Sequence, residues 1–336
     1  MRHDQAAQMF ERAKQLIEGA SSIAVSGHTD PDGDALGSVL GLVGIINAMW
    51  PDKAVQPLLA NDRAVPDNLA FLPGADALVP AARYEGVPDL FIGVDTPTRK
   101  RLADSAAVLE RSRASLCLDH HPAVEESCDE CFTDPNSAAC ADIVLSFARY
   151  LGCPISQQIA TCLFTACATD TGSFQFQNTS PEVLRDAAAL VQAGAKPAEI
   201  CLRVYQSKTF AQLKLQQVVL ERLSLACDDE LATSYVLQSD FERLGAASTD
   251  CDGLVDCIRT LGGPKAVLFL REQGQGGFRG NLRSKDESRD VSLVAKAFGG
   301  GGHKMAAGFS VEGPIESALA ALTASYDELC RGGDAR

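Results

Sequence analysis

Apolar residues recur at three- and four-residue spacing over residues 4–18 (Ala6, Met9, Phe10, Ala13, Leu16, Ile17), which predicts a helix closed by Gly19. The pattern then changes to short apolar runs over residues 22–27, 55–59, 90–94 and 115–118, the length expected of buried strands. Helical spacing separates them over residues 34–49 and 98–111. Strand alternating with helix predicts an α/β fold, a parallel sheet with helices on both faces, whose ligands gather beyond the carboxyl ends of the strands. Past residue 135 the pattern is helical over 136–151, 156–169 and from Ser180-Pro181, a cap followed by a helix-starting proline, to near Gly194. A further helical stretch runs over 197–224. Strand runs return at 231–237, 266–271 and 278–284, between helical stretches at 239–244, 253–261, 292–298 and 314–330, which predicts a second, smaller α/β domain. The expected organisation is a first domain over 1–188, a helical connector over 189–226 and a second domain over 227–336, with a frayed tail at 332–336.

A chain of 336 residues suits two domains at roughly 100–200 residues each, and 46% hydrophobic with 22% charged residues is a globular composition. The uncharged stretch 35–50 contains three glycines and is shorter than the roughly 20 residues that cross a bilayer, so it reads as a buried helix. The N-terminus lacks the basic and apolar regions of a secretory signal, and a cytoplasmic protein is expected. Twelve cysteines spread from Cys117 to Cys330 are then expected as thiols; the lone CxxC, Cys128 to Cys131, has no second pair at zinc-ribbon spacing, with a redox or metal role as the alternative. A net charge of −14 argues against coating of nucleic acid. Between residues 271 and 304, however, seven basic residues face four acids, a local excess that suits a small anionic ligand.

The runs expected as strands end in metal-ligand residue types. The first is followed by His28, Asp32 and Asp34, the third by Asp95, and the fourth by Asp119, His120 and His121, while the helix over 156–169 ends at Asp170. Any one of these acids also fits a helix cap. Four clusters at the functional edge of one sheet favour an active site. Imidazole with several carboxylates suits Mn²⁺, or else Mg²⁺, whereas zinc sites recruit fewer carboxylates or some thiolate. Clustered carboxylates repel one another, so two divalent ions are expected, roughly 3.5–4 Å apart, bridged by a carboxylate and by a water that becomes hydroxide near neutral pH and attacks phosphorus in line.

These residues resemble those of the DHH phosphoesterases, named for the Asp119-His120-His121 type of motif. The resemblance continues in FRGNLRSK (278–285) and DVSLVAKAFGGGGHKMAAGF (290–309), which look like the associated C-terminal domain with its GGGH substrate loop. It implies that His28, Asp32 and Asp95 hold one metal and that Asp34, Asp95, His120 and Asp170 hold the other, with Asp95 as the bridge. His121 would contact the scissile phosphate and help the leaving oxygen depart, Asp119 would orient a histidine of the pair, and Asp30 would be a loop residue. Arg283, Ser284, Gly300, Gly301, Gly302 and His303 would bind substrate, since glycines let backbone N–H groups approach a phosphate closely and arginine grips it with parallel bonds. Asp252 stands where the related sequences usually have Glu.

Within the family the chain is similar to short two-domain enzymes that hydrolyse very short RNAs (nanoRNA) and release phosphate from 3′-phosphoadenosine 5′-phosphate. That implies short RNA or small nucleotide substrates, no long nucleic acid and no membrane partner; a homodimer is also compatible. A stand-alone phosphodiesterase for cyclic or linear di-adenylate competes, because the metal ligands do not distinguish it. A non-catalytic nucleotide-binding module is disfavoured, because all six ligand positions carry competent ligands.

Overall fold

The four apolar runs of the N-terminal half and two further short strands form one sheet in the computed structural model, which describes residues 3–331 except 97, 122–126, 252 and 275. Asp252 and the tail at 332–336 therefore lie outside the described residues. The strands are β1 (Ser22–Ser26), β2 (Ala54–Leu59), β3 (Val79–Pro80), β4 (Leu90–Val94), β5 (Ala114–Asp119) and β6 (Glu130–Thr133), all parallel in the order β3-β2-β1-β4-β5-β6. Period-two alternation sorts their side chains. Ile23, Val25, Ile92, Leu116 and Leu118 meet helices α1 (His3–Gly19), α2 (Gly33–Met49), α4 (Cys140–Leu151) and α5 (Gln157–Asp170), while Ala24, Leu58 and Phe91 meet α3 (Ser105–Arg111) on the other face.

Helices α2 and α5 approach closely because α2 carries glycines on the shared face: a Cβ on Gly37 would lie 2.5 Å from the Cys162 carbonyl, and one on Gly41 2.5 Å from Leu163 Cδ2. This packing brings the start of α2 beside the end of α5. Helix α6 (Pro181–Gln192), capped by the Ser180 side chain on the Val183 N–H, and α7 (Pro197–Tyr205) complete the unit.

Two helix expectations are corrected here. Residues 98–111 form a 3-10 turn, Arg99–Leu102, and then α3, because Ala103 adopts φ 43° and interrupts the helix. The helix expected from 136 starts at Cys140, where the Asp142 carboxylate turns back onto the Ala138 and Ala139 N–H groups.

The chain divides into two compact units, Met1–Ser207 and Lys208–Arg336. The stretch 197–224 is accordingly two helices, α7 in the first unit and α8 (Phe210–Glu221) in the second, with Thr209 capping α8 through the Gln212 N–H. The second unit holds a mixed sheet in the order β11-β12-β10-β9-β8-β7, built from β7 (Ser224–Ala226), β8 (Leu231–Val236), β9 (Ala266–Gln273), β10 (Gly277–Ser284), β11 (Gly301–His303) and β12 (Ala306–Glu312). Only β8 and β9 pair in parallel. Helices α11 (Val291–Ala297) and α12 (Ile315–Tyr326) cover one face around Leu268, Phe278, Leu282 and Phe309. Helices α8, α9 (Gln238–Leu244) and α10 (Leu254–Arg259) cover the other around Ala232, Val236, Val267 and Phe269. No helix among the described residues is long and apolar enough to cross a membrane.

Candidate metal centre

The order of the parallel sheet reverses between β1 and β4, and a crevice forms beyond the carboxyl ends of strands at such a point. His28 lies just past β1 and Asp95 just past β4, on either side of it. Asp119 ends β5, and His120 and His121 follow. Asp32 caps α2, its Oδ1 accepting the Asp34 and Ala35 N–H groups at 3.0 Å, which leaves Oδ2 turned to His28. Asp34 and Asp170 arrive together through the α2–α5 packing.

Three groups of side chains converge. His28 Nε2 is 3.7 Å from Asp32 Oδ2 and 3.5 Å from Asp95 Oδ2. His120 Nε2 is 3.7 Å from Asp34 Oδ2, 3.5 Å from Asp95 Oδ1 and 3.9 Å from Asp170 Oδ2. His121 Nδ1 is 3.3 Å from Asp95 Oδ1 and 2.9 Å from Asp119 Oδ1, which also accepts the His121 N–H at 2.8 Å. Three sets are compact enough to hold a metal ion, His28 with Asp32 and Asp95, Asp95 with His120 and His121, and Asp34 with His120 and Asp170, so Asp95 belongs to two. The histidines are aimed from behind: His28 Nδ1 lies 2.8 Å from the Thr29 carbonyl and His120 Nδ1 3.3 Å from that of Ser137, so both Nε2 atoms face the carboxylates.

The donor set fits a divalent ion. Asp95 is 2% exposed, and its Oδ1 is fully buried yet accepts no hydrogen bond, an arrangement that costs free energy unless a cation completes it. The backbone there is at φ 56°, a left-handed conformation unusual for Asp that turns the side chain inward. Asp34 has a second duty, since its carboxylate accepts the Cys140 and Ala141 N–H groups at the start of α4 and the Ser38 hydroxyl. Without an ion, the charges strain against one another. Burial, together with Asp95 and Asp170, drives Asp34 well above the carboxylate range. Burial and the charges of Asp32 and Asp95 outweigh His120 and push Asp170 up to about 7. Burial alone would depress His28 and His121, but Asp32 with Asp95, and Asp119 with Asp95, raise each to about 10.

The expected substrate residues lie in the second unit. Along β10, Phe278, Gly280, Leu282 and Ser284 are buried, which turns Arg279, Asn281 and Arg283 to the opposite face. Arg283 and His303 both stand opposite Ala306 of β12, so they share that face at two strand spacings, roughly 9–10 Å. Ser284 does not join them: it is fully buried, with its hydroxyl donating to the Asp286 carbonyl, because the strand's alternation points it into the core. The glycines expected as an open loop instead form part of an edge strand. Gly301 and Gly302 pair with Gly308 and Ala307, while Gly300 sits where a Cβ would be 2.2 Å from the Gly308 carbonyl.

Two features escape sequence reasoning. Ser38, one helical turn beyond Asp34, was legible from its i, i+4 spacing, whereas Arg101, with Nη2 at 2.9 Å from His28 Nδ1, had no signal in the spacing. All twelve cysteines are free thiols, burial raises Cys140 and Cys167 well above the thiol range, and among the described residues no cysteine belongs to the three metal-compatible groups. Cys117, beside Cys128 and Cys131, is pushed up to about 12.

Comparison with known proteins agrees with this fold. Residues 22–167 match the N-terminal domain of the DHH family, and residues 228–332 match the DHHA1 domain. The chain is 31% identical over 329 residues to the bifunctional oligoribonuclease and PAP phosphatase NrnA of Thermus thermophilus, covering 95% of this chain and 93% of that one. It is 27% identical to the protein of the same name in Bacillus subtilis, covering 92% and 95%. Among solved structures, an exopolyphosphatase-related protein from Bacteroides fragilis superposes with a TM-score of 0.89 at 25% identity, over 96% of this chain and 97% of that one. The chain belongs to the DHH family of phosphoesterases, with a DHHA1 domain as its second unit.

Proposed function

We propose that this phosphoesterase depends on two divalent ions, Mn²⁺ in the first place, and hydrolyses short oligoribonucleotides and 3′-phosphoadenosine 5′-phosphate. The observation that carries the metal part is the buried Asp95, whose Oδ1 has no hydrogen bond and whose carboxylate belongs to two of the three ligand groups. His28, Asp32 and Asp95 would hold one ion, and Asp34, Asp95, His120 and Asp170 the other. Oxygen and imidazole donors without thiolate favour Mn²⁺ or Mg²⁺ over a softer ion. Bound there, the ions supply Lewis-acid polarisation of a phosphoryl oxygen and an acidified water.

The chain's own groups account for the rest. Asp119 holds the His121 ring by its Nδ1, so its other nitrogen can hydrogen-bond the phosphate and, when the ring is protonated, pass a proton to the leaving oxygen. On the second unit, Arg283, His303 and the backbone at Gly300, Gly301 and Gly302 would take a phosphate of the substrate. The substrate class follows the two full-length NrnA relatives, whose names give oligoribonuclease and PAP phosphatase activities.

The test is a Mn²⁺-dependent hydrolysis panel of 3′-phosphoadenosine 5′-phosphate, RNA of two to five nucleotides, linear and cyclic di-adenylate, and a long single strand. Turnover of the first two with little on the long strand is expected, and Asp95→Ala should abolish it. Preference for a di-adenylate would replace the substrate assignment, and normal rates in Asp95→Ala would overturn the dimetal reading.

A further inference from the structure

Arg101 borders the centre without belonging to its ligand set. Building on the phosphoesterase reading above, we propose that Arg101 binds a non-bridging oxygen of the scissile phosphate once the metal site is loaded.

The reasoning begins with one atom that has two incompatible partners. His28 Nδ1 lies 2.8 Å from the Thr29 carbonyl and 2.9 Å from Arg101 Nη2. A carbonyl only accepts and a guanidinium only donates, so the first contact needs a proton on Nδ1 and the second needs a lone pair there. His28 Nε2 faces Asp32 and Asp95 and would ligate a metal through its own lone pair. A neutral imidazole so engaged carries its proton on Nδ1, where it donates to Thr29. Protonated in the metal-free protein or bound to a metal through Nε2, the ring carries a proton on Nδ1 in either state, so the Arg101 guanidinium faces an N–H that cannot accept from it.

The guanidinium has no replacement partner. Among the described residues its side chain meets no carboxylate, whereas Arg63 pairs with Asp30 and Arg99 with Glu110 nearby. Its position is nonetheless fixed at the root, because the Thr29 N–H donates to the Arg101 carbonyl at 2.8 Å and ties the 3-10 turn Arg99–Leu102 to the His28–Asp32 loop. A half-buried cation, anchored beside a phosphoryl-transfer centre and paired with no carboxylate among the described residues, is suited to an anion that arrives with the substrate. Its planar fork matches two phosphate oxygens, and it would stabilise negative charge on the phosphoryl group where the ions do not reach.

The competing account makes Arg101 a staple that only steadies His28. Three measurements on the full chain separate the two, with Arg101→Ala and, as a variant that keeps charge and stem, Arg101→Lys. They are Mn²⁺ affinity of the metal-stripped protein and inorganic phosphate affinity of the Mn²⁺-saturated protein, both by calorimetry, and kcat and KM on a dinucleotide. We expect Mn²⁺ affinity to hold or rise in Arg101→Ala, because Arg101 is no ligand and a positive charge beside the ion is gone. Phosphate affinity should fall by about tenfold or more, the effect of losing a charge-assisted hydrogen bond, with Arg101→Lys in between and kcat/KM falling in parallel. Weaker Mn²⁺ binding with unchanged phosphate affinity would identify a staple and overturn the proposal. So would a Mn²⁺-saturated wild type that binds no phosphate. If phosphate binding depends on Arg101 while the wild type cleaves no RNA or nucleotide, the substrate assignment fails and the role of Arg101 stands.

Discussion

Asp170→Asn isolates the charge state of the centre. In the metal-free protein the Asp170 carboxyl sits at about 7 against its ordinary 3.8, because burial, with the charges of Asp32 and Asp95 added, outweighs the pull of His120 and His121. A raised carboxyl means that the folded state keeps a proton which the unfolded chain releases, so metal-free stability falls as pH rises from about 4 through about 7. The full shift corresponds to about 4 kcal/mol. The side chain is 31% exposed, and solvent screening reduces this to about 2 kcal/mol.

Other groups do not mask the effect. His28 and His121 are protonated in both states below their ordinary 6.5, and above it their raised values make stability fall further with pH, in the same direction. Asp32 and Asp95 are held below the carboxylate range and have finished titrating by about pH 4. Trp50, the sole tryptophan, lies in the N-terminal unit, so its fluorescence during denaturant unfolding in chelator reports on the unit that holds the centre. Between pH 4.5 and 8 the wild type should lose about 2 kcal/mol relative to Asp170→Asn. Mn²⁺ should remove that loss, because the ion takes the place of the proton, and at a hundred times its Kd should add about 2.7 kcal/mol to the wild type. Parallel pH profiles for the two proteins, or equal stabilisation of both by Mn²⁺, would refute the reasoning.

Two further outcomes concern the second unit. Asp240→Ala removes a buried carboxylate that accepts from Arg222, Arg243 and the Leu237 N–H, and should cost about 3 kcal/mol in calorimetric unfolding. Burial would raise Asp240, but these partners hold it below its usual range, so its contribution is present in full above pH 4 and lost in stronger acid. Gly300→Ala puts a Cβ against the Gly308 carbonyl and Phe309, and should destabilise the β11–β12 pairing by about 2 kcal/mol. Gly301→Ala has open space around it and should be mild, a contrast readable in hydrogen exchange of the β12 amides.

The metal-ligand residue types at the strand ends were legible in the sequence because they follow apolar runs, and a parallel sheet delivers the ends of its strands to one edge. His28, Asp95 and the Asp119-His120-His121 motif needed only that rule. The second sheet was less legible. Strands β11 and β12 are rich in glycine and alanine, whose small side chains blur the alternation that reveals a strand, and the burial of Ser284 depended on a register that such residues do not announce. Local pattern reports which face of an element is apolar, but not which distant element will cover it. Only tertiary packing decided that Gly37 and Gly41 would let α5 approach α2 and bring Asp170 to Asp34, that Asp34 would also cap α4, and that the Arg99–Leu102 turn would carry Arg101 to His28, since each of these contacts joins residues far apart along the chain.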